Sequence, residues 1–230
     1  VMLPLFLQTV LGYPSFQAGT AMAPRGFGAF LAMPLVGLLI GRLDPRKMVI
    51  GGLVVAGSTL FMLSSINLQA GYWDIFWPQF IQGAGMSLLF VPLTTIAMDA
   101  IPREQMGYAT SLFSLMRNIG GSIGIAMTGT MLARHNQAMT SLLGSHVTAY
   151  DPATQRMFSQ LRAGFIASGA DSGTATRRAY AALFGTVQQQ ATMVSFVGIF
   201  QLLGVLFLAL IPLVLLMKRP RGGSGPVAAH

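Results

Sequence analysis

Six small or polar residues, Thr110, Ser114, Arg117, Gly121, Gly124 and Thr128, recur at steps of four and three through the otherwise apolar stretch Gly107 to Leu132. That spacing puts them on one stripe of a helix. The stretch is 26 residues long, about 39 Å at 1.5 Å per residue. A bilayer core needs only about 20 residues, so Arg117 is expected at membrane depth. A charge there is costly and by default functional, yet such groups also act by fixing helices. Both roles stand open for Arg117: it holds carbonyls or a carboxylate of another helix, or it tunes a proton-carrying acid. Asn118 follows it, and Gln79, Gln82 and Met86 share a face of a second apolar stretch. With Ser114 they are candidates for a substrate or proton pathway. The amides either line a cavity or merely link helices, since a hydrogen bond between spans averages only about 0.6 kcal/mol.

Other chemistries lack their residues. There is no Ser, His and Asp constellation, no phosphate-cradling glycine loop beside a lysine, and no carboxylate pair at one membrane depth. Neither an enzyme nor a cofactor is expected. The glycines at 83 and 85 read as helix packing, because no strand precedes them as a nucleotide fingerprint requires. Asp44 and Glu104 fall in loops, Asp74 and Asp99 at span ends, Asp151 and Asp171 in a long hydrophilic segment. None is mid-membrane, so proton coupling needs an acid from outside this chain. His135, His146 and His230 lie in polar segments without metal-ligand spacing and read as surface histidines. With no cysteine there is neither a disulfide nor a thiolate metal site.

Elements that position these residues follow from the composition. A chain 53% hydrophobic and 9% charged has about a third of the charge of a soluble domain. Its net charge of +8 is spread over short connections instead of one face, which argues for membrane orientation and against nucleic acid. The apolar opening to Tyr13 reads as a helix entered partway. Further spans follow from about Thr20 to Ile40 with Pro24 and Pro34, from Met48 to Ile66, from Ile75 to about Ile101 with the kinking Pro92, and through the Arg117 stretch. Gly120, Gly121 and Gly124 are expected to let another backbone approach. Residues 1–133 thus hold the end of one span and four complete ones. Residues 134–190 form an outer segment with two short helices, 191–217 the last span, and 218–230 a tail. Asp44–Pro45 and Asp151–Pro152 read as N-cap and first helical residue. Tyr72, Trp73 and Trp77 mark an interface. Lys and Arg in short loops number three at 41–47, one at 99–106 and three after Met217, against none at 14–19 and 67–74. By that count the basic side, carboxyl terminus included, is cytoplasmic.

The stretch LPLFLQTVLGYPSFQAGTAMAPRGFGAFLAMPLVGLLIGRLDPR, then WPQFIQGAGMSLLFVPLTTIAMDAIP and SLFSLMRNIGGSIG, resembles the carboxyl-terminal half of EmrB/QacA-type drug:proton antiporters of the major facilitator superfamily. DPATQRMFSQL looks like the outer loop of the EmrB branch. The resemblance implies an all-α, polytopic membrane helix bundle, the six-helix C-terminal half of a 14-helix transporter with its first helix incomplete. It implies proton-coupled export of amphipathic drugs across a bacterial inner membrane. Its implied partners are the transporter's own N-terminal half, a periplasmic adaptor and an outer-membrane channel. The family's loop motif appears at Gly37 to Arg42 with Gly41 in the aspartate place, leaving Asp44 as its substitute. Pro34, Gly37, Arg42, Asp44 and Pro92 are the expected packing and gating residues. The rival expectations are a facilitator exporting an amino acid or siderophore, and a non-transporting scaffold that docks an adaptor.

Overall fold

Apolar runs punctuated by Asp-Pro and Gly produce helices throughout. The computed structural model describes residues 2–40, 42–67, 70–99, 101–147 and 150–216; the expected tail 218–230 and Gly41 lie outside the described residues. Among the described residues the helices are α1 (Met2–Thr9), α2 (Ser15–Thr20), α3 (Ala23–Ile40), α4 (Pro45–Ser64), α5 (Tyr72–Asp99), α6 (Met106–His146), α7 (Pro152–Ala167), α8 (Ser172–Ala209) and α9 (Ile211–Leu216), with no strand. They form two compact units, one of Val1–Ala18, Ile66–Gln69 and Gly124–Ile199, the other of Gly19–Ser65, Ala70–Ile123 and Phe200–His230.

In the second unit, α5 is the central helix, and glycines set how closely its neighbours approach. A Cβ built at Gly28 of α3 would land on the Phe80 carbonyl oxygen of α5, and one at Gly83 of α5 would land on the Arg25 carbonyl oxygen of α3. The two helices are in backbone contact, and Ser87 Oγ donates to the Ala29 carbonyl across the pair at 3.1 Å. On the other side of α5, a Cβ at Gly52 of α4 would sit 2.8 Å from the Leu89 nitrogen, and one at Gly85 would sit 2.7 Å from Val55 Cγ1. Small residues are what helix association in lipid requires, because apolar burial supplies no drive there. Val49, Leu53, Leu89 and Val214 bury an apolar cluster where α4, α5 and α9 meet. Asp44 caps α4, its Oδ1 accepting from the Arg46 nitrogen at 3.2 Å, with Pro45 as the first helical residue.

The first unit departs from the expected layout. Residues 134–190 do not hold two separate short helices: α6 runs on unbroken to His146, α8 begins at Ser172, and α7 alone is free-standing. The expected boundaries at 133/134 and 190/191 therefore fall inside helices. Polarity changes there without a breaker, since Arg, Gln, Ala, Met and Leu are all good helix formers. The turn between α7 and α8 is made by Gly169 at φ +93°, and the Ala170 nitrogen donates to the Phe165 carbonyl at 3.1 Å, a left-handed helix stop. Arg162 of α7 ties the hairpin, Nε donating to Thr176 Oγ1 at 3.1 Å and Nη2 to Ser172 Oγ at 2.7 Å. Phe158 and Tyr180 lie 4.5 Å apart between ring centroids.

Both hairpin helices are capped by aspartate. Asp151 accepts from the Ala153 and Thr154 nitrogens and from Thr154 Oγ1, and Asp171 from the Gly173 and Thr174 nitrogens. The Thr154 hydroxyl first, then the backbone donors, hold the Asp151 carboxyl below its ordinary value; Thr174 does the same for Asp171. A carboxyl depressed in the folded state stabilises above its unfolded pKa, and that contribution is lost as pH falls through the folded value. Amide exchange in the first turns of α7 and α8 is therefore expected to be pH-invariant in its protection from pH 7 to 5, and protection should fall selectively as pH drops below the ordinary aspartate range. Asp151→Asn should remove most of that acid dependence from α7 alone.

Candidate functional site

Four helices among the described residues are long and apolar enough to cross a membrane: Ser15–Ile40, Pro45–Ser64, Tyr72–Met98 and Ser172–Leu216. The 41-residue α6 is not among them. Arg117, Asn118 and the run of Ser, Thr and Gly hold its hydropathy down. The same residues that single out its stripe in the sequence therefore lower its apolarity below that of a membrane span.

The structure gathers only part of the expected pathway. Gln79 and Gln82 meet inside the second unit, Gln79 Nε2 donating to Gln82 Oε1 at 3.4 Å, with the side chains 1% and 9% exposed. Gln79 Oε1 is buried without a partner. Met86, one turn on, is half-buried, and Pro92 is fully buried in the same helix. Arg117 is not brought to either amide. It is exposed, as are Ser114 and Asn118, and none of the three hydrogen-bonds within the described residues. The spacing left helix carbonyls, Gln79 or Gln82 on the neighbouring span, or an acid from outside this chain as partners for Arg117; the two amides bond to each other on α5 and leave Gln79 Oε1 unpartnered, while the first half of α6 is largely exposed on every side. Thr110 and Thr128 turn inward, donating to the Met106 and Gly124 carbonyls of their own helix.

The expected packing glycines also move. Gly37, Gly120, Gly121 and Gly124 have nothing within 4 Å of a Cβ, whereas Gly28, Gly52, Gly83 and Gly85 do. Helix backbones therefore meet most closely among α3, α4 and α5, at Gly28, Gly52 and Gly83. Pro34 lies inside α3 and is exposed, as is Arg42. The Asp44 carboxylate, offered as a gating substitute, is engaged at the α4 N-terminus.

Sequence reasoning missed a polar-lined cavity. In the first unit α1, α6 and α8 border an open cavity of about 690 Å³, its polar lining Thr9, Asn136, Gln188, Gln189 and Thr192 set among Leu5, Leu132 and Phe196. Thr192 Oγ1 donates to Asn136 Oδ1 at 3.2 Å, and Gln189 Nε2 donates to the Val10 carbonyl at 2.9 Å. The signal was the Gln188 to Gln190 run, which read as a hydrophilic connection because the start of the last span was set by apolarity. His135, read as a surface residue, is half-buried, its imidazole lying against Gly198 of α8. The structure holds no cluster of metal-ligating side chains among the described residues.

The Major Facilitator Superfamily profile matches residues 1–144. EmrB, a multidrug export protein of Escherichia coli, is 32% identical over the whole of this chain and 44% of its own length. The fatty acid resistance protein FarB of Neisseria gonorrhoeae is 30% identical over 97% of this chain and 43% of its own. The multidrug resistance protein Stp of Mycobacterium tuberculosis is 35% identical over 56% of this chain and 24% of its own. This chain belongs to the Major Facilitator Superfamily, as an all-helical, multi-pass membrane protein similar to the EmrB-type transporters. It spans less than half the length of the curated relatives EmrB and FarB.

Proposed function

We propose that the chain is the carboxyl-terminal half of an efflux transporter of a bacterial inner membrane that exports amphipathic drug-like compounds in exchange for protons. The observation that carries this is the exposed stripe of α6. A charged, amide-flanked face on a membrane helix, without a partner among the described residues, needs a second set of helices to face it. Facilitator-type sites lie near the midplane between two such halves. The names of the relatives, multidrug export and fatty acid resistance, support a reading in which the cargo is amphipathic. The buried amide pair on α5 and the amide-lined cavity offer hydrogen bonds without fixed charge, which suits cargo of varied shape. Domain roles follow from the same reading: residues 1–133 and 191–217 form the bundle, 134–190 face the periplasm and meet an adaptor that leads to an outer-membrane channel, and 218–230 are cytoplasmic.

The test is accumulation of an amphipathic dye by inverted vesicles that contain the full-length protein, with and without a pH gradient. Accumulation that needs the gradient is the expected result; gradient-independent or absent dye movement would sink the antiport reading. Topology is checked separately. Single cysteines at Lys47 and Ser145, in a full-length protein with any other cysteine replaced, are expected to react with an impermeant maleimide from the cytoplasmic and periplasmic sides respectively. Reaction of both from one side would contradict the orientation.

A further inference from the structure

We infer that the α7–α8 hairpin carries a binding site for an amphipathic organic anion, whose apolar body lies in a cavity bordered by α6, α7 and α8 and whose acid group meets Arg162. The cavity is open, about 340 Å³, and wholly within the first unit. That volume is in the range of small-molecule pockets, which are mostly apolar with a few placed polar groups. Phe158 of α7, Tyr180, Leu183 and Phe184 of α8, and Gly144 and Val147 at the end of α6 line it. Tyr180 and Phe184 are 60% and 61% exposed. Large aromatic side chains left uncovered together beside a cavity, rather than scattered singly, mark a binding surface.

The antiparallel register of the hairpin sets the acid-binding end. Phe158 packs on Tyr180 at 4.5 Å between ring centroids. Four residues further on α7 and four back on α8, Arg162 Nε donates to Thr176 Oγ1 at 3.1 Å. The two pairs are successive rungs, so Arg162 stands one turn, about 5 Å, beyond the aromatic wall. Charge then selects the ligand. From Asp151 to Val187 the chain has four arginines and two aspartates. Both aspartates are engaged as caps, Asp151 accepting from the Ala153 and Thr154 nitrogens and the Thr154 hydroxyl, Asp171 from the Gly173 and Thr174 nitrogens. Arg162 bonds only to the neutral hydroxyls of Thr176 and Ser172 among the described residues. A guanidinium is always charged, and its fork has donors beyond the two used here. The hydroxyls thus hold the fork in place without neutralising it. Arg177 falls on the same face of α8 as Tyr180 and Phe184 and adds a second cation.

Use of the site as a station for departing cargo rests on the efflux reading; the binding does not. The probe is para-benzoylbenzoate, photolysed on full-length protein in phosphatidylcholine nanodiscs, beside para-benzoylbenzyl trimethylammonium, which has the same body and the opposite charge. Adducts are mapped by peptide mass spectrometry. Saturable labelling of α7 and α8 by the anion, about fivefold or more above the cation, is expected. Arg162→Gln is expected to cut anion labelling about tenfold and to leave cation labelling no lower, which a collapsed cavity would not do. Arg162→Lys keeps the charge and should keep anion labelling within about threefold. Equal labelling by the cation, labelling that spreads over the chain without saturating, or wild-type anion labelling in Arg162→Gln overturns the site. Protection on adding phosphatidylglycerol to the discs identifies the occupant as a lipid and overturns the assignment to a soluble anion. If the hairpin labels as stated and vesicles accumulate no dye, the site stands and the efflux reading is what fails.

Discussion

Gly28→Leu and Gly83→Leu are expected each to abolish recovery of folded protein, while Gly26→Leu, two residues along the same helix as Gly28, leaves it intact. The difference lies in what the new side chain meets. At Gly28 a Cβ lands on the Phe80 carbonyl oxygen and at Gly83 on the Arg25 carbonyl oxygen, but at Gly26 nothing stands within 4 Å. A flexible side chain can swing aside; a carbonyl inside a helix cannot, so α3 and α5 must separate. Overpacking of a well-packed contact costs about 1–3 kcal/mol or more, and separation here also breaks the Ser87 to Ala29 hydrogen bond. Since Gln79 and Gln82 lie on α5 next to Gly83, the amide pair should be lost with the contact. Size-exclusion profiles and thermal unfolding in detergent measure this. An aggregated or absent peak for the first two variants, beside a wild-type peak for Gly26→Leu, is the expected outcome; three equal profiles would show that the α3–α5 contact is not what holds the unit together.

What could be read in the sequence divides along physical lines. Helix starts set by a local rule appear where expected: Asp44–Pro45 and Asp151–Pro152 each cap a helix, because the carboxylate reaches a nitrogen only two or three residues away. The close-packing role of Gly83 and Gly85 was also legible, as a pair of glycines in an apolar helix with no strand before them. Which glycines pack was not legible in general. Gly120, Gly121 and Gly124 have the same local signature as Gly83 and Gly85, yet they face open space, because packing depends on which helix lies opposite and composition does not record that. Helix ends were misjudged for the same kind of reason. Hydropathy ended the Arg117 span near Leu132, but a helix with no breaker continues regardless of polarity, and α6 runs on to His146. The cavity at Asn136 and Thr192 joins residues 56 apart, a separation at which no spacing rule operates.

Arg117→Ala is expected to lose most transport while the protein still folds, and Arg117→Lys is expected to fold, to transport, and to do so with an altered pH dependence. The starting point is cost. An arginine at a helix centre is unfavourable by about 2.5–3.5 kcal/mol on insertion scales, and neither Gln79 nor Gln82 offsets it, since they bond to each other. Ser114, Arg117 and Asn118 have no partner within the described residues, so under the proposed reading the guanidinium faces an acid or carbonyls of the other half. If that acid is the proton carrier, the nearby positive charge favours its ionised form and sets the pH at which it loads. Alanine removes the charge and leaves the acid to titrate at higher pH. Lysine keeps the charge but replaces a planar fork by a point charge on a flexible stem, so the coupling survives with a shifted profile. The measurement is gradient-driven dye efflux at a series of pH values in reconstituted full-length protein, with size-exclusion profiles to establish folding. A loss of roughly two orders of magnitude for alanine is the scale set by removing about 3 kcal/mol of interaction. Wild-type pH profiles in both variants would leave Arg117 with a role in packing α6 and none in coupling.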